Sequence, residues 1–122
     1  MGLDEVVRRR RREREALLAR ARAYAATLER RLALRAVAVF GSVARGDFNV
    51  WSDIDVLVVA DHLPAKVTDR FAALLPWPAG VQPIAWTVDE WHLQLARRNR
   101  IAVEALERGV WLRGSPEELR GQ

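Results

Sequence analysis

Leu17, Ala21, Tyr24, Ala25, Leu28 and Leu32 recur at helical spacing and make one apolar stripe, while Arg20, Arg22, Glu29, Arg30 and Arg31 mostly fall off it. The pattern predicts one long helix over residues 4–34, with the arginine run Arg8 to Arg12 as the place where it would break. Ala36-Val37-Ala38-Val39-Phe40 is a short apolar run ended by Gly41 and predicts a buried strand. Residues 42–46 can make one helical turn with Ser42 as N-cap. A polar loop through Asp47, Asn49 and Ser52 leads to a second strand, Asp53 to Val59. After a turn at Asp61 to Pro64, Val67 to Leu75 suits a helix with Val67, Phe71, Leu74 and Leu75 inward, ended by Pro76, Pro78 and Gly80. Val81 to Thr87 predicts a third strand, placed at a sheet edge by Pro83, which has no N–H for a ladder. Thr87 and Glu90 have capping-box spacing and open a helix running to about Arg108 and ending at Gly109. Val110-Trp111-Leu112 is a short last strand, and Ser115 with Glu118 caps a C-terminal turn. This order predicts an α/β or α+β fold, a small sheet with helices packed on one side of it.

Composition narrows the picture. The 122 residues suit one domain, 1–122, with residues 1–12 as a flexible basic arm. The absence of cysteine excludes disulfides, thiolate zinc sites and cysteine nucleophiles. His62 and His92 are the two histidines, too few for a histidine-rich metal site. No apolar run reaches the roughly 20 residues of a membrane span, and no apolar segment follows the arginine run as in a secretory signal, so the cytoplasm is the expected location. Charge is uneven. Residues 1–35 hold 11 arginines against 5 acids, whereas residues 36–96 hold 3 basic groups against 7 acids. An acidic middle suits a site that collects cations better than a face that grips nucleic acid. The arginine run itself reads as a solvated face, with contact to RNA or an acidic partner as the alternative.

Two features carry candidate chemistry. Gly41-Ser42 stands where a buried strand gives way to a turn; glycine permits close backbone approach, and amides opening a helical turn can hold phosphate oxygens with the Ser42 hydroxyl. Asp53 and Asp55, two apart on a strand, point to one face. Side-by-side carboxylates repel, and a divalent cation relieves the repulsion; Mg²⁺ prefers one or two carboxylates together with water and phosphate oxygens. For Asp-x-Asp alone the plainer reading is a solvent-facing strand mouth. Trp51, just before Ser52, is open between stacking on a base or partner and ordinary packing. Trp77, Trp86, Trp91 and Trp111 read as core or interface rather than as base-stacking platforms.

Taken together, Gly41-Ser42-Val43-Ala44-Arg45-Gly46, six residues, then Asp53-Ile54-Asp55, with Ser52-Asp53-Ile54-Asp55-Val56-Leu57-Val58-Val59 as its second part, resembles the signature of the minimal nucleotidyltransferases of the DNA polymerase beta superfamily. Ala105-Leu106-Glu107-Arg108-Gly109-Val110-Trp111-Leu112 resembles that family's terminal segment, so the likeness spans essentially the whole chain. The resemblance implies a mixed sheet of the polymerase beta type. It implies that Gly41 and Ser42 bind a nucleoside triphosphate, ATP being the expected one, and that Asp53 and Asp55 are catalytic and hold Mg²⁺ or Mn²⁺. Arg45 would steady the loop or touch phosphate; pairing with Asp47 or Asp53 is the equal alternative. The product of such chemistry is a nucleoside monophosphate joined to an acceptor that the sequence does not name. The family's third carboxylate, on the neighbouring strand, falls at Gln82, which cannot serve as a base. Asp89 and Glu90 follow that strand and suit helix capping instead. Stand-alone domains of this kind resemble antitoxins paired with an all-helical HEPN protein, so a HEPN-type partner is expected. A weakly catalytic or inactive nucleotide-binding module that mainly meets such a partner is the alternative. Nucleic acid and self-association stay open as partners.

Overall fold

A computed structural model describes residues 2–121. The elements are α1 (Leu3–Glu29), β1 (Ala33–Phe40), α2 (Gly41–Arg45), β2 (Ile54–Asp61), α3 (Val67–Leu74), β3 (Val81–Trp86), α4 (Val88–Ala96), α5 (Arg100–Arg108), β4 (Val110–Arg113) and α6 (Pro116–Arg120). The sheet has the order β3-β2-β1-β4. β1 is antiparallel to both β2 and β4, and β2 runs parallel to β3. The mixed α/β class expected from the sequence is the class observed, and β3 is an edge strand as Pro83 requires.

Alternation along the strands feeds two cores. Val37, Val39, Ile54, Val56, Val58 and Ala60 point to one face, where they meet Leu18, Ala21, Tyr24, Ala25 and Leu28 of α1. Ala36, Phe40, Leu57 and Val59 point to the other, where they meet Val88 and Trp91 of α4, Ala102 and Ala105 of α5, and Leu119 of α6. Helices therefore cover both faces, which corrects the one-sided expectation. Residues 36–40 of β1 and 56–60 of β2 read as continuous apolar runs because both of their faces are buried.

Other boundaries differ for identifiable reasons. α1 stops at Glu29, and β1 starts at Ala33 rather than Ala36, because the ladder to β2 extends through Ala33 opposite Asp61. β2 begins at Ile54, so Asp53 stands just ahead of the strand. α2 begins at Gly41 with Phe40 as its N-cap residue, and Ser42 lies inside the helix rather than capping it. In α3 only Leu74 is buried. Val67, Phe71 and Leu75 are 63%, 42% and 49% exposed, because this short helix lies toward the β3 edge of the sheet. The expected single helix from Thr87 to Arg108 is two. Arg98 takes the left-handed conformation at φ 56°, and the Asn99 side chain accepts the Ile101 N–H to start α5. The Thr87–Glu90 capping box and the Ser115 cap on the Glu118 N–H form as expected.

Candidate active site

The site is built where β1 ends and β2 begins. The register sets Phe40 opposite Asp55, so the chain turns into α2 directly over the Asp55 side chain. Gly41 adopts φ +75°, and a Cβ on it would collide with the Asp55 carboxylate. Glycine is thus required twice, for its dihedral and for the close approach. Gly46, at φ +91°, ends α2 in the left-handed conformation. On the far side of β2, the parallel register sets Gln82 of β3 beside Asp55, and Gln82 is exposed.

Asp55 is half-buried, and its carboxyl is raised above the ordinary aspartate range. Burial is the main cause, followed by the negative charges of Asp53 and Glu104; Arg45 and Arg100 partly offset them. Asp53 is exposed, yet close enough for its charge to be felt at Asp55. It sits at the end of a loop with its own frame. The Asn49 N–H donates to Ser52 Oγ at 2.9 Å, the Ser52 N–H donates to the Asn49 carbonyl at 3.0 Å, and the Trp51 N–H donates to Asn49 Oδ1 at 2.8 Å. The Ile54 N–H then donates to the Gly80 carbonyl at 2.7 Å, which fastens the start of β2. Trp51 at the loop tip is 87% exposed.

α2 is held from outside by α1. Arg14 donates to the carbonyls of Val43 (2.9 Å) and Ala44 (2.7 Å), and Arg10 donates to those of Gly46 (3.0 Å) and Phe48 (2.7 Å). These carbonyls belong to the last turn of α2 and the residues after it, and guanidinium groups there also complement the helix dipole. The Arg10 guanidinium additionally lies 3.9 Å from the Phe48 ring centroid. The arginine run is therefore continuous with helix α1, and Arg10 within it is a structural brace rather than part of a solvated arm.

Arg45 pairs with Asp47 (Nε to Oδ2, 3.3 Å), as one sequence alternative had it, and with Glu104 of α5 (Nη1 to Oε1, 2.9 Å). Glu104 was not visible as a site residue from the sequence; its one local signal is the spacing of four from Arg100, whose Nε lies 3.7 Å from the same oxygen. Glu90 serves as a cap and structural anchor. It accepts two hydrogen bonds from Arg70 Nη1 (2.7 and 3.0 Å) and one from the Thr87 N–H (2.8 Å). Burial alone would raise the Glu90 carboxyl, but the Thr87 hydrogen bonds and Arg70 bring it below the ordinary glutamate value. Trp86, Trp91 and Trp111 stack into the second core, with centroids 6.4 and 5.6 Å apart, as expected of core tryptophans.

A groove of about 850 Å³ runs between α1 and the Phe48–Asp53 loop, walled by Leu17, Arg20, Phe48 and Trp51 and bordered at one side by Asp53. A second hollow, of about 280 Å³, lies at the opposite end of β2 beside Asp61, His62 and Thr87, away from the Asp53–Asp55 pair. Among the described residues, no three acidic, histidine or cysteine side chains gather closely enough to hold a metal on their own. Two carboxylates with mutual repulsion, an open solvent side and a glycine-lined backbone do fit Mg²⁺ that arrives with phosphate oxygens to complete its shell.

A shared sequence profile agrees with this geometry. The nucleotidyltransferase domain family matches residues 22–112, and the chain belongs to that family. A crystal structure of a candidate nucleotidyltransferase from Sulfolobus solfataricus is similar at a TM-score of 0.63, with 23% identity over 84% of each chain, and shares the fold. A toxin–antitoxin structure solved with AMP-PNP is more distant, with a TM-score of 0.48 and 17% identity over 81% of this chain and 77% of the other. No curated protein matches the sequence. No helix among the described residues is long and apolar enough to cross a membrane.

Proposed function

We propose that the chain transfers a nucleoside monophosphate from a nucleoside triphosphate, ATP being the expected donor, to an acceptor nucleophile. The observation that carries this reading is the contact of the Gly41 backbone with the Asp55 carboxylate, which brings the amides opening α2 next to an acidic pair. In this reading Gly41 and Ser42 bind the triphosphate, Arg45 steadies or contacts it, and Asp53 and Asp55 hold Mg²⁺ or Mn²⁺. The metal, when bound, neutralises phosphate charge and orients the α-phosphate. The acceptor oxygen bonds to the α-phosphorus, the bond to the bridging oxygen of the β-phosphate breaks, and pyrophosphate leaves. The chain's own contribution is placement: α2, braced by Arg10 and Arg14, fixes the phosphate, and β2 fixes the carboxylates. The groove beside Asp53 gives the acceptor or the nucleoside an approach.

Gln82 supports a second reading. It stands beside Asp55 at the position expected for a third carboxylate and cannot accept the acceptor's proton. A nucleotide-binding module that chiefly engages a HEPN-type helical protein needs no such base. The two readings separate in one assay. The chain is incubated with α-labelled ATP and Mg²⁺, with and without the product of a neighbouring reading frame. Transfer of label that Asp53→Asn abolishes supports the enzyme. Metal-dependent ATP binding with no transfer to any component supports the module. Binding of ATP with equal affinity by wild type and Asp53→Asn, without transfer, would sink both.

A further inference from the structure

The side chains around Glu104 extend from Arg45 of the Gly41–Gly46 motif to α5, beyond the motif itself. Two guanidinium groups from different elements, Arg45 of α2 and Arg100 of α5, converge on one oxygen, Glu104 Oε1, at 2.9 and 3.7 Å. Both arginines and Glu104 lie close enough to Asp55 for their charges to act on it, so the cluster adjoins the metal-binding pair. Arg45 follows Ser42 by three residues, which places it one helical turn along from the phosphate-holding amides. We propose that Arg100 joins Arg45, to which the reading above already gives the triphosphate, in holding the terminal phosphates of the bound nucleotide and hence the pyrophosphate product, and that Glu104 occupies the two guanidinium groups in the free protein. The inference rests on the nucleotidyltransferase reading and names a further part of that site.

The chemistry favours the exchange. A carboxylate presents one charge to the two guanidinium groups, whereas the end of a triphosphate presents more charge and more acceptor oxygens, and guanidinium matches phosphate in two-point geometry. The Arg100–Glu104 pair is weak support for α5 by itself, since Arg100 is largely exposed and helical pairs of this spacing contribute little. Glu104 is better sheltered, and it holds Arg45 toward α5 through a contact 59 residues apart in the chain. When phosphate displaces it, Glu104 loses two partners beside two carboxylates. The metal that accompanies the nucleotide offsets that crowding.

Calorimetry on the intact chain with Mg²⁺ tests the proposal, using ATP, AMP and inorganic pyrophosphate as probes. Arg100→Gln should weaken ATP and pyrophosphate about ten-fold, the scale of one charge-assisted contact, and leave AMP unchanged. Glu104→Gln should tighten ATP and pyrophosphate, because it removes the competing anion. A purely structural ion pair predicts the reverse for Glu104→Gln, namely a loosened Arg45 and weaker binding. The proposal is overturned if Arg100→Gln binds ATP as wild type does, or if Glu104→Gln binds it more weakly, while Asp53→Asn still reduces affinity. If Asp53→Asn has no effect either, the nucleotide reading falls with it. Arg100→Gln, being a surface change, keeps the test valid should Glu104→Gln fold poorly; equal melting temperatures check this.

Discussion

Replacing Asp55 by asparagine should have two opposed effects. The folded protein raises this carboxyl above its unfolded value, so the ionised form costs stability. That cost is absent at pH below the ordinary aspartate range, where the group is protonated folded and unfolded alike. It grows as pH rises through the raised value and is then constant. Asp55→Asn should therefore raise the melting temperature of the metal-free protein at neutral pH, with the difference vanishing in acid, while metal-dependent ATP binding is lost. A lower melting temperature for Asp55→Asn at neutral pH would refute the repulsion account. Glu90 behaves with the opposite sign: its depressed carboxyl contributes stability above the ordinary glutamate value, and that contribution is lost as pH falls through the depressed one. At Gly41 there is no room to compromise. Gly41→Ala meets both an unfavourable dihedral and the Asp55 carboxylate, a strain of about 1–3 kcal/mol. Chemical denaturation should show the loss, and ATP titration should show weaker binding beyond it.

At the scale of elements, the break between α4 and α5 is decided by Asn99. Its side chain caps α5, and Asn99→Ala should cost about 1 kcal/mol, measured by denaturant unfolding. An asparagine inside an amphipathic stretch carried the signal for this break, but the helical periodicity on either side masked it, since a left-handed residue at Arg98 preserves an apolar face on each half. The central strands were legible because residues 36–40 of β1 and 56–60 of β2 are apolar runs ended by glycine or acid, and the helix caps at Thr87 and Ser115 were legible because they are local. The α1–β1 boundary was not, because it depends on pairing with β2 across a long separation. The same limit applied to the site. Gly41, Ser42, Asp53 and Asp55 announce themselves by spacing, whereas Glu104 and the braces from Arg10 and Arg14 are contacts between residues far apart in sequence. In an arginine-rich helix, nothing in the sequence marks which guanidinium groups reach backbone carbonyls.

For the whole molecule, the parallel β2–β3 pair decides which residue stands beside Asp55. The chain leaves β2 at the end remote from the site, crosses through α3 and returns to start β3 at the site, so Asp55 and Gln82 stand abreast near the beginnings of their strands. Gln82→Asp should then raise transfer from labelled ATP, by up to ~10²–10⁴-fold if the new carboxylate takes the acceptor's proton. Brisk wild-type transfer that survives Gln82→Ala would show that the reaction needs no base at this position.

The braced α2 helix also bears on how the protein acquires its working shape. The β1–α2–β2 unit is contiguous in sequence, so Gly41 and Asp55 meet by closing a short loop, at small entropic expense. The Arg45–Glu104 contact and the pairing of β1 with β4 close far longer loops. Low-cost local openings follow cooperative units that often coincide with neighbouring elements. A transient detachment of the α5–β4 segment would thus take Glu104 and Arg100 away together and leave the carboxylate pair assembled, giving the chain an excited state in which Arg45 has lost its partner on α5. Amide hydrogen exchange would register this as faster exchange in α5 and β4 than in β1 and β2.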